Sequence, residues 1–520
     1  MNDKSIKRAN VTGILMQIPM WLLATWAAVQ FCLMLFYSLT EYDYIEPPTF
    51  IGFENFKMLA DDVVKTSIKN TVVFYGLSSL FIFAFGVLPA IFIARLKRWV
   101  GLLFAIGYSL LTFSTYTNSL RYFFSSDSYG ALNSWLLSSK IIVEPILWTT
   151  DKTTIPAVLL LSFAAIGPAF IIAYAFTVYK KAAAGGAAAL SVSLLLMVGA
   201  DTRLIKMFGF PSADYKATTL TSIIADYAEN RFECGKASAM AVFGFLLLSF
   251  AVAFICGMAV LAHVIFKKRE AAQRGRASAR IIAVSTAVVA LVMLLPLLIN
   301  ISNVFKSTEE LFTFPVGIFA ARPTLENFGA FFEYNFNMWT PPAVVMALTL
   351  IDVLKRFVFY MLVILPSAIG AALIKNSKTK ALLALSFIIL PFLYNGIFFL
   401  LSSETRRPFN SLMPLVVFLA GYYVTKQYIS GKRGALALGI PASVMTAFAA
   451  AVTFVNFSNI PIRREILYNS LYMQNSEWGG ILSRASIAAV GDLLLLLLTV
   501  FFFLAPAIMF LVLRLRKDKI

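Results

Sequence analysis

The sequence predicts an all-α polytopic membrane protein with about twelve transmembrane helices, arranged as two parallel six-helix repeats. Three observations carry that prediction. Of the 520 residues, 60% are hydrophobic and only 13% are charged, with a mean hydropathy of +0.81; a soluble domain carries roughly a quarter charged residues. The basic residues gather on alternate connections between apolar runs, which is the positive-inside pattern. Three short motifs recur in the same order in the two halves of the chain.

A helix needs about 20 apolar residues to cross the hydrocarbon core. Such runs fall at 14–39, 70–95, 99–119, 155–179, 187–209, 240–266, 281–304, 357–374, 380–402, 411–428, 435–457 and 487–513. Arg95, Lys97 and Arg98; Lys180 and Lys181; the stretch 267–280; Lys375, Lys378 and Lys380; Lys426, Lys432 and Arg433; and Arg514, Arg516, Lys517 and Lys519 are then placed inside, together with both termini. Segment 40–69 is placed outside, with six acids (Glu41, Asp43, Glu46, Glu54, Asp61, Asp62) against three lysines. Outside segment 458–485 fits less well, since it holds Arg463, Arg464 and Arg484. Trp135, Trp148, Trp339 and Trp478 fall near the outer interface, where tryptophan is favoured.

The first run follows Lys4, Lys7 and Arg8. It is too long for a signal-peptide core and lacks a small-residue cleavage site, so it reads as a retained start-transfer helix. The run 187–209 opens on Ala and Ser, and Asp201 and Arg203 cut into its end. Segment 337–356 holds Asp352, Lys355 and Arg356. Three charges at mid-bilayer are costly, so this segment is expected on the outer surface, with the next span starting at Phe357.

The net charge of +18 would suggest nucleic acid as a partner in a soluble protein. Here the positive residues flank apolar runs, and lipid is the expected neighbour. Cys32, Cys234 and Cys256 have no metal spacing and imply no disulfide framework.

The stretch KKREAAQRGRASAR (267–280) has six positive residues and no apolar run. It reads as a cytoplasmic linker between a first half, 1–266, and a second half, 281–520. The repeat rests on three pairs. IGFENF (51–56) resembles PTLENF (323–328), with Phe328 lying 272 positions after Phe56. VLPAIFIARLKR (87–98) resembles ILPSAIGAALIKNSK (364–378), with Pro366 lying 277 positions after Pro89. FECGKASAMAV (232–242) resembles SEWGGILSRASIAAV (476–490) at a shift of 248, and the long outside segment 120–154 accounts for the shorter offset. Both halves keep the same orientation, so the repeat is parallel.

These motifs, with SIKNTVVF (67–74), SYGALNSWL (128–136), TTLTSIIADYAENRFECGKASAMAV (218–242), NVFKSTEELFTFPVGIFAARPTLENF (303–328) and YNSLYMQNSEWGGILSRASIAAV (468–490), give each half a resemblance to a known family. Each half resembles an inner-membrane permease subunit of the maltose and glycerol-phosphate type of bacterial ATP-binding-cassette (ABC) sugar importer. The resemblance implies a permease with both membrane subunits fused in one chain. It would enclose a path for a sugar-like small solute and partner an extracytoplasmic solute-binding protein and two ABC-type ATPase subunits. No cofactor would be bound by the chain itself, and the location would be a bacterial plasma membrane. The family's ATPase-docking loop, Glu-Ala-Ala followed by Asp-Gly-Ala, has its nearest counterpart in KAAAGGAA (181–188). Ala182, Ala183, Gly186 and Ala187 fit it, while Lys181 stands for the Glu and Gly185 for the Asp. The plainer reading is a small-residue helix start with no docking role. In the second half TKQYIS (425–430) resembles the approach to that loop, and GKRGALALGIP (431–441) departs from it.

The chain is not expected to be an enzyme. It has no GxxxxGK[ST] motif for nucleotide, and His263 is its only histidine, so no His-based metal or triad site is expected. Asn70, Thr71, Ser109, Thr112, Ser114 and Asn395 lie within spans. They line a path or, more commonly for such residues, tie helices together. Gly86, Pro89, Gly167, Pro168, Pro366 and Pro391 suit kinked helices around a cavity. Two alternatives stand beside the importer. A twelve-helix secondary transporter of the major-facilitator kind also has two six-helix halves, but RLKRWVG (95–101) lacks that family's Gly-x-x-x-Asp-Arg pattern, and paired intramembrane carboxylates are missing. A polyisoprenoid-dependent membrane glycosyltransferase would need acids in the first outside loop, such as Asp43 and Glu46, and leaves the repeat unexplained.

Overall fold

The structure is a computed structural model. It describes residues 11–374 except 97, 115–118, 179–181, 209–214, 230, 267–275, 312, 333–346, 348–350, 352, 353 and 356. Beyond 374 it describes only 418, 421, 422, 425, 489–494, 496 and 497. The expected spans 380–402 and 435–457, most of 411–428 and 487–513, the linker up to residue 275 and most of 337–356 lie outside the described residues.

The chain is mostly helical, and its only strands among the described residues are a two-residue antiparallel pair, β1 (Thr40–Glu41) and β2 (Thr49–Phe50). Four helices among the described residues are long and apolar enough to cross a membrane: Asp62–Ile93, Thr154–Tyr174, Cys234–Leu261 and Ala279–Asn303. That is fewer than the twelve expected. The apolar stretches Leu103–Thr112, Ala182–Val198 and Phe357–Leu373 are helical but fall short of 18 residues. The protein is membrane-embedded and all-α.

The chain divides into two compact units interleaved in sequence: Met1–Phe36, Val344–Pro461 and Leu494–Ile520 form one, and Tyr37–Ala343 with Ile462–Leu493 form the other. The larger unit contains α2 (Asp62–Ile82), α3 (Leu88–Ile93), α4 (Arg98–Ser114), α5 (Ser119–Phe123), α6 (Ala131–Ser138), α7 (Thr154–Val178), α8 (Ala182–Phe208), α9 (Leu220–Glu229), α10 (Cys234–Phe266), α11 (Arg276–Met293), α12 (Leu295–Asn303), α13 (Thr308–Leu311) and α14 (Glu326–Phe332). Its centre is α7, whose apolar window is 67% buried, against 22% for those of α10 and α11. A helix apolar on all faces belongs inside a bundle, and α7 packs on α2, α3, α4 and α8. On α10, Leu246, Phe250, Phe254, Met258 and Leu261 form an exposed stripe at helical spacing. A stripe that size is a liability in water and suits hydrocarbon.

Helix α7 meets α4 closely because glycine stands at both ends of the crossing. A Cβ on Gly167 would come 2.5 Å from Thr112 Oγ1 and 2.8 Å from the Tyr108 carbonyl oxygen, and one on Gly101 would enter the Tyr174 ring. Close approach through small residues is how membrane helices gain contact without a hydrophobic driving force. Thr112 also accepts the Gly167 amide at 3.1 Å, and the Tyr108 and Phe170 rings stack at 4.6 Å.

Between α2 and α3 the helix widens to a π turn at Phe83–Val87. The cause is Pro89. It has no amide hydrogen, and its ring crowds the carbonyl four residues earlier, that of Phe85. The displaced Phe85 carbonyl accepts a hydrogen bond from the Tyr108 hydroxyl. The same local structure occurs in the other unit, where a π turn at Tyr360–Ile364 precedes α15 (Leu365–Leu373) and Pro366 stands in its first turn. The two π turns are offset by the same 277 positions as the two prolines.

In this second unit the residues leading into helix α1 (Ile18–Ser38) pack on α15. A Cβ on Gly13 would come 2.7 Å from the Gly370 carbonyl, and Ser367 Oγ donates to the Met16 carbonyl at 3.2 Å. In the larger unit it is α11, from the second half of the sequence, that packs on α3 and α4. Each unit thus takes up the first helix of the opposite half.

Trp148 was expected at the interface, but it is 6% exposed. Its indole Nε1 donates to Asn133 Oδ1 at 2.9 Å, and its ring meets Phe124 edge-on. The Asn133 amide also donates to the carbonyls of Ser125, Asp127 and Ile146, so this one side chain folds the segment 125–148 around itself.

Candidate functional site

The candidate docking residues open α8. Ala182, Ala183, Gly185, Gly186 and Ala187 occupy its first turns, and Lys181 lies outside the described residues. Small residues at this start let it lie close to the bundle. Gly185 is buried, and a Cβ on Gly186 would touch Val87 at 3.5 Å. Ala182, Ala183 and Ala187 are half-buried. Ala184, between them, is exposed. The sequence leaves this stretch either as a docking element or as a plain small-residue helix start. The structure turns part of it inward and leaves Ala184 as its most accessible point.

The other end of α8 carries a buried carboxylate. Asp201 and Arg203 fall near the end of the expected span 187–209, and α8 runs through them to Phe208. The reason is pairing: Asp201 Oδ2 accepts from the Tyr75 hydroxyl of α2 at 2.9 Å, and Oδ1 accepts from Thr219 Oγ1 at 2.8 Å. Thr219 in turn meets Ser222 of α9 at 2.9 Å. A carboxylate inside a helix bundle is tolerated when donors surround it. This network joins α2, α8 and α9, and nothing in the local sequence around Asp201 announces Tyr75 or Thr219 as its partners.

Neighbouring polar residues have the helix-tying role. Asn70 donates to the carbonyls of Tyr215, Lys216 and Thr218 at 3.0, 3.1 and 2.9 Å, and Thr71 Oγ1 accepts the Leu220 amide at 2.8 Å. These bonds fix the start of α9 against α2, which places Thr219 over Asp201. From Ala184 to Asp201 the helix runs about 25 Å at 1.5 Å per residue, so α8 is a rod from a small-residue surface to a buried charge.

Two further asparagines were visible in the repeated motifs but not their role. Asn55 Nδ2 donates to the carbonyls of Ser38 and Thr40 at 3.1 and 2.7 Å. Asn327 Nδ2 donates to those of Val304 and Lys306 at 2.9 and 2.8 Å. Asp43 is occupied as a turn-former. The amides of Glu46 and Ile45 bond its Oδ1, and these backbone donors hold its pKa below the usual carboxylate value.

Among the described residues no group of three or more His, Cys, Asp or Glu side chains is placed to hold a metal. No protein-family model matches the chain, and no curated protein matches it.

Proposed function

We propose that the chain is the fused permease of a binding-protein-dependent ABC importer, carrying a sugar or related small solute across a bacterial plasma membrane. Its two parallel six-helix repeats, about twelve spans in all, enclose the path. Both termini are cytoplasmic. Two separate ATPase subunits supply the work from inside, and an extracytoplasmic binding protein delivers solute from outside.

The observation that carries this reading is a matched pair of local structures. A π turn followed by a Leu-Pro helix recurs 277 positions apart, at the places where the sequence motifs recur. The Asn-based bracing at Asn55 and Asn327 recurs as well. A parallel duplication of this kind supports two equivalent membrane subunits in one chain. The start of α8 supports the docking role, with Ala184 outward and Gly186 against Val87.

The test is purification of the tagged chain from its native membrane with mass spectrometry of what stays bound. Stoichiometric ABC-type ATPases are the expected result. A chain that purifies alone, and moves solute in vesicles without ATP, would overturn the importer reading. Asp201 favours one second reading, an ion-coupled secondary transporter, because a buried carboxylate among hydroxyls suits proton or cation exchange. Solute uptake driven by an ion gradient and lost in Asp201→Asn would establish it.

A further inference from the structure

Lys306 lies just past α12 and is fully buried. Its ammonium donates to Asn303 Oδ1 at 2.9 Å and to the Gly317 carbonyl at 2.6 Å. No described carboxylate comes within ion-pair distance of it. The backbone between these contacts forms a closed loop. Its base is the bond from the Thr324 amide to the Phe305 carbonyl at 2.8 Å. Ser302 Oγ accepts the Ala320 amide at 3.0 Å, and Glu310 accepts the Ala321 amide.

The loop rests on a neighbouring segment. The Val316 amide donates to Ser134 Oγ of α6 at 2.7 Å, and Val316 packs on the buried cluster of Tyr122, Ala131 and Ile299. Apart from the base, the described long-range polar ties of the loop run through Ser134, Ser302, Glu310, the Lys306 amine, and Asn327, whose amide donates to the Lys306 carbonyl. Among these described ties, the Lys306 amine is a buried titratable group whose burial draws its pKa toward neutral pH.

We propose that the described residues of 305–311 and 313–324 form a strap over α5 and α6, latched by the Lys306 amine, and that a proton on this amine favours release of the strap. This inference does not depend on the importer reading. Burying an ammonium with no carboxylate at ion-pair distance is costly. A neutral amine still donates two hydrogens, so it keeps the bonds to Asn303 and Gly317 without that cost. With the strap open the amine regains water and binds its proton more tightly.

The titratable groups around the latch are known. Burial lowers the Lys306 pKa to about 8, partly opposed by Glu310 on α13. On α5, burial raises the Tyr122 hydroxyl to about 12, with Asn303 beside it and Asp127 nearby. Tyr122 therefore stays neutral throughout the range in which Lys306 titrates. Closed and open states differ in proton binding between about pH 8 and the ordinary lysine value near 10.5. Closure is thus favoured as pH rises through that window. From pH 9 to pH 7 the open fraction should rise about tenfold, and it should level off below pH 7.

The experiment is hydrogen exchange of the Val316 and Ala320 amides in the detergent-purified full chain between pH 6 and pH 9, with intrinsic rates divided out. Protection is expected to fall about tenfold from pH 9 to pH 7, while α7 amides hold theirs. Lys306→Met should remove the pH dependence and keep the strap protected. Lys306→Arg, which cannot lose its proton, should also remove it but leave the strap less protected. Constant protection in the unaltered chain would overturn the proposal. So would a parallel fall in α7, or unchanged pH dependence in either variant that folds.

Discussion

Asn55 and Asn327 brace the chain in the same way. Each carboxamide donates to two carbonyls spaced two residues apart, Ser38 and Thr40 in one case and Val304 and Lys306 in the other. Both sets of carbonyls lie at or just past a helix end, where backbone acceptors run out of helical partners. Asn55→Ala and Asn327→Ala should therefore destabilise alike, each by about 2 kcal/mol, because buried acceptors lose their donors. Thermal unfolding of the two variants in detergent checks this. A large effect at one site and none at the other would separate the two asparagines.

Gly167 gives a sharper packing prediction. Gly167→Leu must push Thr112 and the Tyr108 backbone aside, and overpacking of this kind costs about 1–3 kcal/mol or more. Gly107, on α4, has open space where a Cβ would stand, so Gly107→Ala should stabilise by about 0.5–1 kcal/mol through helix propensity. The pair distinguishes close packing from a general intolerance of change in α4 and α7.

At Asp201 the two substitutions should part company. Asp201→Asn keeps an acceptor for Tyr75 or Thr219 and lets the other hydroxyl turn, so it should cost under about 1 kcal/mol. Asp201→Ala leaves the Tyr75 hydroxyl buried without its acceptor, at about 2–3 kcal/mol. Equal losses measured in thermal unfolding would mean that charge, and not hydrogen bonding, holds α2 to α8.

Ala184 is the place to test docking. It is exposed, so Ala184→Trp should leave unfolding within about 0.5 kcal/mol of the parent. Under the importer reading it should weaken ATPase retention about tenfold, as an obstructed interface centre does. Retention at the parental level would remove the α8 start from the interface. Gly186 is a poorer probe, since a bulky residue there presses on Val87 and confounds coupling with packing.

Composition and apolar runs were enough to place the chain in a membrane as helices, because hydrocarbon leaves the backbone few other choices. The Leu-Pro motifs were legible as repeats, and the π turns follow from proline chemistry. What was not legible depended on partners distant in sequence. Asp201 reads as an unpaired charge near the end of a span until Tyr75, 126 residues away, is seen to donate to it. Trp148 reads as interfacial until Asn133 and Phe124 enclose it. For the stretch 181–188, spacing alone does not say that Gly185 and Gly186 turn inward while Ala184 turns out.

The contact between Ser367 and Met16 has a consequence for how the protein is made. The two residues are 351 positions apart, so the first helix is synthesised long before its packing surface exists. At about 5–20 residues per second the ribosome needs roughly 20–70 seconds to reach α15. Throughout that interval Gly13, Met16 and the buried Gln17 have only lipid, or an insertion chaperone, to sit against. Biogenesis must hold an early helix in waiting. Severing the chain at 267–280 would turn that wait into a search between two fragments, neither of which carries the seat for its own first helix.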